Sequence, residues 1–233
     1  MLRDQELTEI YDGHFYTPED AVPLGCHDCA GCSDCCRETG DSIILDPWDM
    51  YMLTKGTGKT FTDMIEREIE IRLVDGLILP NLMQHHGEEL SDAPDPEDCC
   101  PFLSPEGRCS IHAFRPGLCR LFPLGRYYEG DDFRYILQAH ECSRQNRYPV
   151  RVRDWLEIDN LEEYEDFVRT WHHFLRQAGP VTEKLTERSS DSVRRFILQV
   201  FFVEPYRTAV PFAWQFAQRR AVCREKLGKI LPS

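Results

Sequence analysis

The apolar residues of the C-terminal third recur at helical spacing. Between 161 and 178 they follow one another mostly at steps of three and four residues, which places them on one face of an α-helix. Gly179-Pro180 is expected to end this helix. Two further helices are predicted over about 192–203 and 211–230, and Cys223 lies on the apolar stripe of the last one as a small core residue. We assign no chemistry to this third.

The middle of the chain begins with a short apolar run and a strong helix-start signal. Residues 43–45 are predicted to form a short strand. Asp46 follows as a helix N-cap, with Pro47 at the first helical position. This helix should stop by Gly56 or Gly58, which makes the sequence GTGKT a helix-ending turn and not a phosphate-binding loop.

Turn signals divide the remainder of the first two thirds. A short helix is predicted over about 61–68, and residues 17–25 are expected to form a turn-rich lead-in. Asp75-Gly76 and Gly130-Asp131 each lie between runs that contain apolar and aromatic residues, which predicts two β-hairpins. Another short helix is predicted to begin at Asp154.

These elements predict an α+β fold that is mostly helical. We expect a small cysteine-rich core with short hairpins over residues 1–158, followed by a C-terminal helical segment, residues 159–233, packed on it. A chain of 233 residues can bury a core of this kind without covalent staples.

Charge and hydropathy exclude two classes of partner. The formal charge is -13, from 27 Lys+Arg against 40 Asp+Glu, and it would repel a phosphate backbone, so we expect no nucleic-acid partner. The N-terminus has no basic start followed by an apolar stretch, and no segment approaches the roughly 20 apolar residues that span a bilayer. We therefore expect a cytoplasmic protein without a membrane partner.

Cysteines are concentrated in two distant groups. The chain has 11 cysteines, of which five fall in the sequence CHDCAGCSDCC: Cys26, Cys29, Cys32, Cys35 and Cys36. A second set follows far along the chain: Cys99, Cys100, Cys109, Cys119 and Cys142. In a reducing cytosol clustered thiols are metal ligands more often than disulfide partners. A disulfide framework also meets an odd count and an adjacent pair, so the pattern favours a metal centre.

The spacing does not identify the metal. Sets of four cysteines hold both zinc and iron-sulfur clusters. The run C-x2-C-x2-C-x3-C from Cys26 to Cys36 coincides with that of bacterial ferredoxins, although Arg37 stands where that run has proline. Three histidines near the cysteines are alternative donors, although a surface role is the commoner one for each: His27, His112 and His140.

Arginines are enriched around the cysteines of this acidic chain. Four thiolates around zinc or an oxidised 4Fe-4S core leave about two negative charges in a poorly hydrated place, which favours a nearby cation. Six arginines are candidates: Arg37, Arg108, Arg115, Arg120, Arg126 and Arg144. Of these, Arg115 and Arg120 are the candidate cofactor-binding residues.

The combination of cysteine motifs resembles a known family. CAGCSDCC, CPFL, CSIHAFRPGLCRLFPLG and the late Cys142 are similar to the YkgJ-like cysteine-cluster family of zinc- or iron-chelating proteins, over about 29–142. His112 stands where relatives often have tyrosine, and Cys26 and Cys99 are additions to the motif. The resemblance implies that the metal ligands are Cys29, Cys32, Cys35, Cys36, Cys100, Cys109, Cys119 and Cys142. These eight would form either two four-cysteine sites or one cluster with spare thiols.

Three functions follow from this pattern. The first is a cytosolic metal-binding protein that holds an iron-sulfur cluster, 4Fe-4S, or zinc, with a redox role and an unidentified protein or redox partner. The second is an S-adenosylmethionine-dependent protein lysine N-methyltransferase, which similarity to the flagellin lysine methylase branch implies, although the chain has no G-x-G-x-x-G loop after a strand. The third is a zinc-stabilised interaction module. The sequence leaves open whether the chain is an enzyme.

Overall fold

The computed structural model describes residues 11–26, 32–37, 42–65, 67–83, 99–138, 141–144, 146–228 and 230, and the architecture is α+β as predicted. The strands are β1 Ala21–Gly25, β2 Ile69–Val74, β3 Leu77–Leu82, β4 Leu124–Glu129, β5 Asp132–Leu137 and β6 Tyr148–Arg151. The α-helices are α1 Pro47–Thr57, α2 Phe61–Met64, α3 Gly117–Leu121, α4 Val152–Leu156, α5 Leu161–Glu183, α6 Glu187–Leu198 and α7 Phe212–Leu227.

Both predicted hairpins are confirmed. β2 pairs with β3 and β4 pairs with β5, each in antiparallel register. Asp75 and Gly76 have φ values of 44° and 83°, and these left-handed conformations close a two-residue turn that follows the twist of the strands. The predicted strand at 43–45 is present only as a bridge between Ile44 and Asn81, on the outer side of β3.

The lead-in expected over 17–25 is wrong in its second half. Ala21–Gly25 forms β1, which pairs with β6 through Val22–Val150 and Gly25–Tyr148. Gly25 has a steric reason to be glycine, since a Cβ atom there would lie 2.2 Å from the Tyr148 ring. The two strands are far apart in sequence, so no turn signal marked them as partners.

Helix α1 begins and ends where the sequence predicts. The Asp46 side chain accepts a hydrogen bond from the Asp49 N–H at 2.8 Å, while Asp49 accepts from the Asp46 N–H at 2.9 Å. Gly58, with φ of 71°, ends the helix. Thr60 then caps α2, which is shorter than the predicted 61–68. GTGKT is therefore a turn between two helices, as expected.

Helix α5 continues through the predicted stop at Gly179-Pro180 and ends at Glu183. Gly179 packs against the β2–β3 turn, where an added Cβ would lie 2.2 Å from the Asp75 carbonyl oxygen. This contact buries the last turns of the helix, and its packing outweighs the hydrogen bond that Pro180 cannot donate.

The predicted boundaries of the other helices shift by a few residues. α6 begins at Glu187, earlier than the predicted 192, and passes into a π-helical turn at Gln199–Val203. α7 ends at Leu227, before the predicted 230. The short helix expected to begin at Asp154 instead spans Val152–Leu156.

An aromatic core joins the C-terminal helices to α1. Phe167 of α5 meets Phe216 of α7 at a ring separation of 4.8 Å, and Trp171 meets Phe201 at 5.0 Å. Trp48 of α1 lies 4.7 Å from the Tyr164 ring of α5. Cys223, a predicted core residue, is buried on α7. The domain boundary between 158 and 159 stays a prediction. No helix among the described residues is long and apolar enough to cross a bilayer.

Candidate metal centre

A backbone bridge joins the two cysteine groups. Cys35 and Cys36 lie in a 3-10 turn, Asp34–Cys36. The Cys100 N–H donates to the Cys36 carbonyl oxygen at 2.8 Å, and Arg37 and Cys99 form an antiparallel bridge beside it. The start of the second group is therefore held against the end of the first.

A tight turn sets Cys109 beside Cys100. The Ser104 N–H donates to the Arg108 carbonyl oxygen at 2.8 Å, and the Ser110 N–H donates to the Phe102 carbonyl oxygen at the same distance. Leu103 and Cys109 form an isolated bridge across this turn. The sequence SPEG thus reverses the chain and returns Cys109 toward Cys100.

Asp49 anchors the short helix that carries Cys119. The Gly117 N–H, at the start of α3, donates to Asp49 Oδ1 at 2.6 Å. A Cβ atom on Gly117 would lie 2.2 Å from the Tyr164 hydroxyl oxygen, so only glycine fits here. Burial raises the pKa of Asp49 to about 6. The sequence did not predict this role of Asp49, because no local signal marks a partner 68 residues away.

Eight thiols line one cavity of about 220 Å³: Cys26, Cys32, Cys35, Cys36, Cys100, Cys109, Cys119 and Cys142. Seven of them are ligands that the family resemblance implied, and the eighth implied ligand, Cys29, lies outside the described residues. Cys26 also lines this cavity, whereas Cys99 is not among its lining residues. All the described cysteines are free thiols. Cysteines from remote parts of the chain therefore converge.

Several of these thiols are close enough to affect one another's ionisation. A hydrogen bond with Cys36, followed by burial, raises the pKa of Cys35. Burial raises the pKa of Cys100 to about 12, and neighbouring Cys109 adds to the shift. Burial also raises the pKa of Cys119, with Cys100 as the next contributor. Adjacent thiolates repel each other in a partly dry cavity, so a bound cation would relieve that repulsion.

Three of the six candidate arginines line the cavity: Arg108, Arg115 and Arg144. Arg144 hydrogen-bonds to the Cys32 thiol, and the negative form of that thiol raises the pKa of Arg144. Arg115 lies 3.3 Å from a Glu157 carboxylate oxygen and 2.7 Å from His112 Nδ1. His112 also lines the cavity, and burial, followed by the charge of Arg115, lowers the pKa of its imidazole. The His27 and His140 positions lie outside the described residues.

Arg120 occupies a structural position and is not among the residues that line the cavity. Its guanidinium is 2% exposed and donates four hydrogen bonds, which use four of its five N–H groups. The acceptors are the carbonyl oxygens of Ala113, Arg115, Leu156 and Glu157. The Arg120 guanidinium also lies 5.5 Å from the Trp48 ring centroid. Arg120 therefore ties the segment after Cys109 to α4.

The other two candidate arginines, Arg126 and Arg37, are also not among the residues that line the cavity. Arg126 Nη2 donates to the Tyr164 hydroxyl at 3.0 Å, and its guanidinium lies 5.4 Å from the Phe133 ring centroid. Arg37 Nε donates to Ser33 Oγ at 3.0 Å. Six arginines lie near cysteines in the sequence, and three of them line the cavity. Sequence proximity alone did not show which three these would be.

The donor atoms of the cavity are of the chemical type that thiophilic metals bind. Thiolates suit zinc and iron-sulfur clusters, and the cavity supplies them together with cationic side chains. Within the described ranges, no three His, Cys, Asp or Glu side chains are grouped so that they could hold a single metal ion. The sulfurs are thus gathered around a shared space and not around one point.

Comparison with known families gives one match. Residues 28–143 match the family model described as "CxxCxxCC: Putative zinc- or iron-chelating domain". The matched range contains every cysteine that the sequence resemblance implied as a ligand, and it excludes Cys26 and Cys223. Comparison with curated proteins and with solved structures gives no significant match.

Proposed function

Because residues 28–143 belong to the CxxCxxCC family of zinc- or iron-chelating domains, we propose that this chain holds an iron-sulfur cluster of the 4Fe-4S type and serves a redox role. The coarser property, metal chelation through clustered cysteines, is the family's own description. The cluster type, the redox role and a reducing, cytoplasmic setting are the steps that we add.

One observation carries the choice of a cluster over a single zinc ion. Eight thiols line a cavity of about 220 Å³, and no three donors among the described residues are grouped around one point. A zinc ion takes four sulfur ligands at about 2.3 Å, so one ion would use only four of these eight thiols. A polynuclear core spreads its ligands around a larger volume than one ion does, so thiols gathered around a shared cavity support a cluster.

The chain's own residues would bind and tune such a group. The thiols of Cys35, Cys100, Cys109 and Cys119 act on one another electrostatically. Arg144 and the other cavity arginines would offset the negative charge of the thiolates. A bound iron-sulfur cluster supplies one-electron transfer. Cys35 is exposed, which supports electron exchange with a partner at that side of the cavity.

Elemental analysis of protein kept free of oxygen tests this function. We expect a brown protein with iron and acid-labile sulfide bound to each chain, and a visible absorption that bleaches on reduction. A colourless protein with stoichiometric zinc would remove the redox role and favour the zinc-stabilised module. Cys223→Ser is the matched control for any cavity cysteine, because Cys223 is a buried thiol remote from the cavity lining.

The methyltransferase alternative stays a prediction. Of its two candidate contacts, Arg115 is paired with Glu157, and Arg120 donates to backbone carbonyl groups. Calorimetric titration of cluster-loaded protein with S-adenosylmethionine would test it, and absence of binding would rule it out.

A further inference from the structure

We infer that Cys26, a cysteine outside the matched family domain, is a metal ligand of the same cavity. This inference rests on the proposed metal binding and adds a donor that the family motif does not contain. The domain match begins at residue 28, so Cys26 precedes it. Its thiol nevertheless lines the cavity together with Cys32 and Cys142.

The β1–β6 strand pair fixes the backbone that leads to Cys26. Val22 and Leu24 of β1 are 0% and 1% exposed, so the strand is anchored in the core. Gly25 is covered by the ring of Tyr148 on β6, and both residues line the cavity. Cys26 follows directly after this anchored strand. Its position at the cavity wall therefore follows from the packing of β1.

Charge links Cys26 to the Cys32 end of the cavity. The Arg144 guanidinium hydrogen-bonds to the Cys32 thiol and is also within electrostatic reach of Cys26 and Asp34. Ser143, next to Arg144, hydrogen-bonds to the Asp34 carboxylate. One cation thus stands near two of the thiols that line the cavity. Such donors bind a thiophilic metal ion such as Zn²⁺ or Cd²⁺, or an iron of a cluster.

Cys99 provides a natural comparison within the same chain. Like Cys26, it is a thiol that the family resemblance does not count as a ligand. It neighbours Cys100 but pairs through its backbone with Arg37, and it is not among the cavity-lining residues. Both Cys99 and Cys26 lie close to the motif in the sequence. In the structure only Cys26 of the two is among the residues that line the cavity. The two residues therefore form a matched pair for substitution and chemical labelling.

Alkylation of the unmodified full chain gives the first test. Metal-free and Cd²⁺-loaded protein are treated with N-ethylmaleimide without oxygen, and the labelled cysteines are quantified by peptide mass spectrometry. We expect loading to slow labelling of Cys26 by at least about tenfold, as for Cys119, and to leave the labelling of Cys99 nearly unchanged. Equal labelling of Cys26 in the two states would overturn the inference.

Substitution gives the second test. Cys26→Ser should weaken retention of Cd²⁺ against a competing chelator by at least about tenfold, whereas Cys99→Ser should behave as the unmodified chain. If the unmodified chain retains Cd²⁺ and Cys26→Ser retains it equally well, the inference fails while the proposed metal binding stands. If the unmodified chain retains no metal, both fail. Should Cys26→Ser not fold, the labelling experiment decides alone.

Discussion

Replacement of Arg120 by methionine should destabilise the fold without changing the metal site. Methionine is similar in length to arginine but donates no hydrogen bond. The substitution leaves the carbonyl oxygens of Ala113, Arg115, Leu156 and Glu157 without this donor. A buried acceptor that loses its partner costs about 1–3 kcal/mol. Because some of these carbonyls can turn to water, we expect a total loss of about 3–5 kcal/mol in the free energy of unfolding.

Thermal and urea unfolding of metal-free protein, followed by circular dichroism, measure this loss. In a chain of this length a change of 1 kcal/mol moves the melting temperature by about 2–4 °C, so Tm should fall by roughly 6–20 °C. Arg108→Met is the matched control, because Arg108 is an exposed cavity arginine and its loss should cost no more than about 0.5 kcal/mol. Arg120→Lys should recover only part of the loss, since an ammonium group cannot reproduce the planar fork.

Metal content of the same samples separates the two roles of Arg120. At a temperature where the variant is folded, bound metal per chain should match that of the unmodified protein. An Arg120→Met protein that unfolds within about 1 kcal/mol of the unmodified chain, yet loses metal or cofactor binding, would refute the structural role and restore Arg120 as a cofactor contact.

Three further outcomes are expected. Cys119→Ser should lower bound metal per chain by elemental analysis, whereas Cys223→Ser should not; equal losses would contradict the cavity assignment. Gly179→Ala should lower the free energy of unfolding by about 1–3 kcal/mol in urea titration, because its Cβ would lie 2.2 Å from the Asp75 carbonyl oxygen; a more stable variant would contradict this packing. Metal removal should speed amide hydrogen exchange mainly around the Asp34–Cys36 turn, which has no buried residue, and spare α5, whose aromatic contacts involve no cysteine; uniform unfolding would instead favour a zinc-stabilised module.

Local chemistry explains which elements could be predicted from the sequence. The Asp46-Pro47 start of α1 and the two hairpin turns each depend on residues within a few positions of one another, and all three are confirmed. The end of α5 depends on a contact between Gly179 and the Asp75 carbonyl group, which no local pattern encodes. The β1–β6 pair was missed for the same reason, because its strands are far apart in the sequence.

The candidate site was also only partly predictable from the sequence. The cysteine motifs predicted that thiols from remote parts of the chain would meet, and eight thiols do line one cavity. The sequence positions of the arginines did not predict which of their side chains line the cavity. Arg115 and Arg120 are five residues apart, yet the first lines the cavity and the second donates to backbone carbonyl groups beside Trp48. The supporting role of Asp49 was also missed, because its second oxygen bonds to Gly117 far along the chain.

The second cysteine group is positioned by packed elements, whereas the described part of the first group, Asp34–Cys36, is a 3-10 turn without buried residues. Cys119 stands on a helix that Asp49 anchors, and the neighbouring Trp48 packs on Tyr164 of the C-terminal helices. Within the described residues, the 3-10 turn of the first group is joined to its surroundings by the Cys100–Cys36 hydrogen bond and the Asp34–Ser143 contact. The C-terminal helices therefore support one wall of the cavity before any metal binds. The free energy of metal binding would then act mainly on the first cysteine group, whose described 3-10 turn has no buried residue.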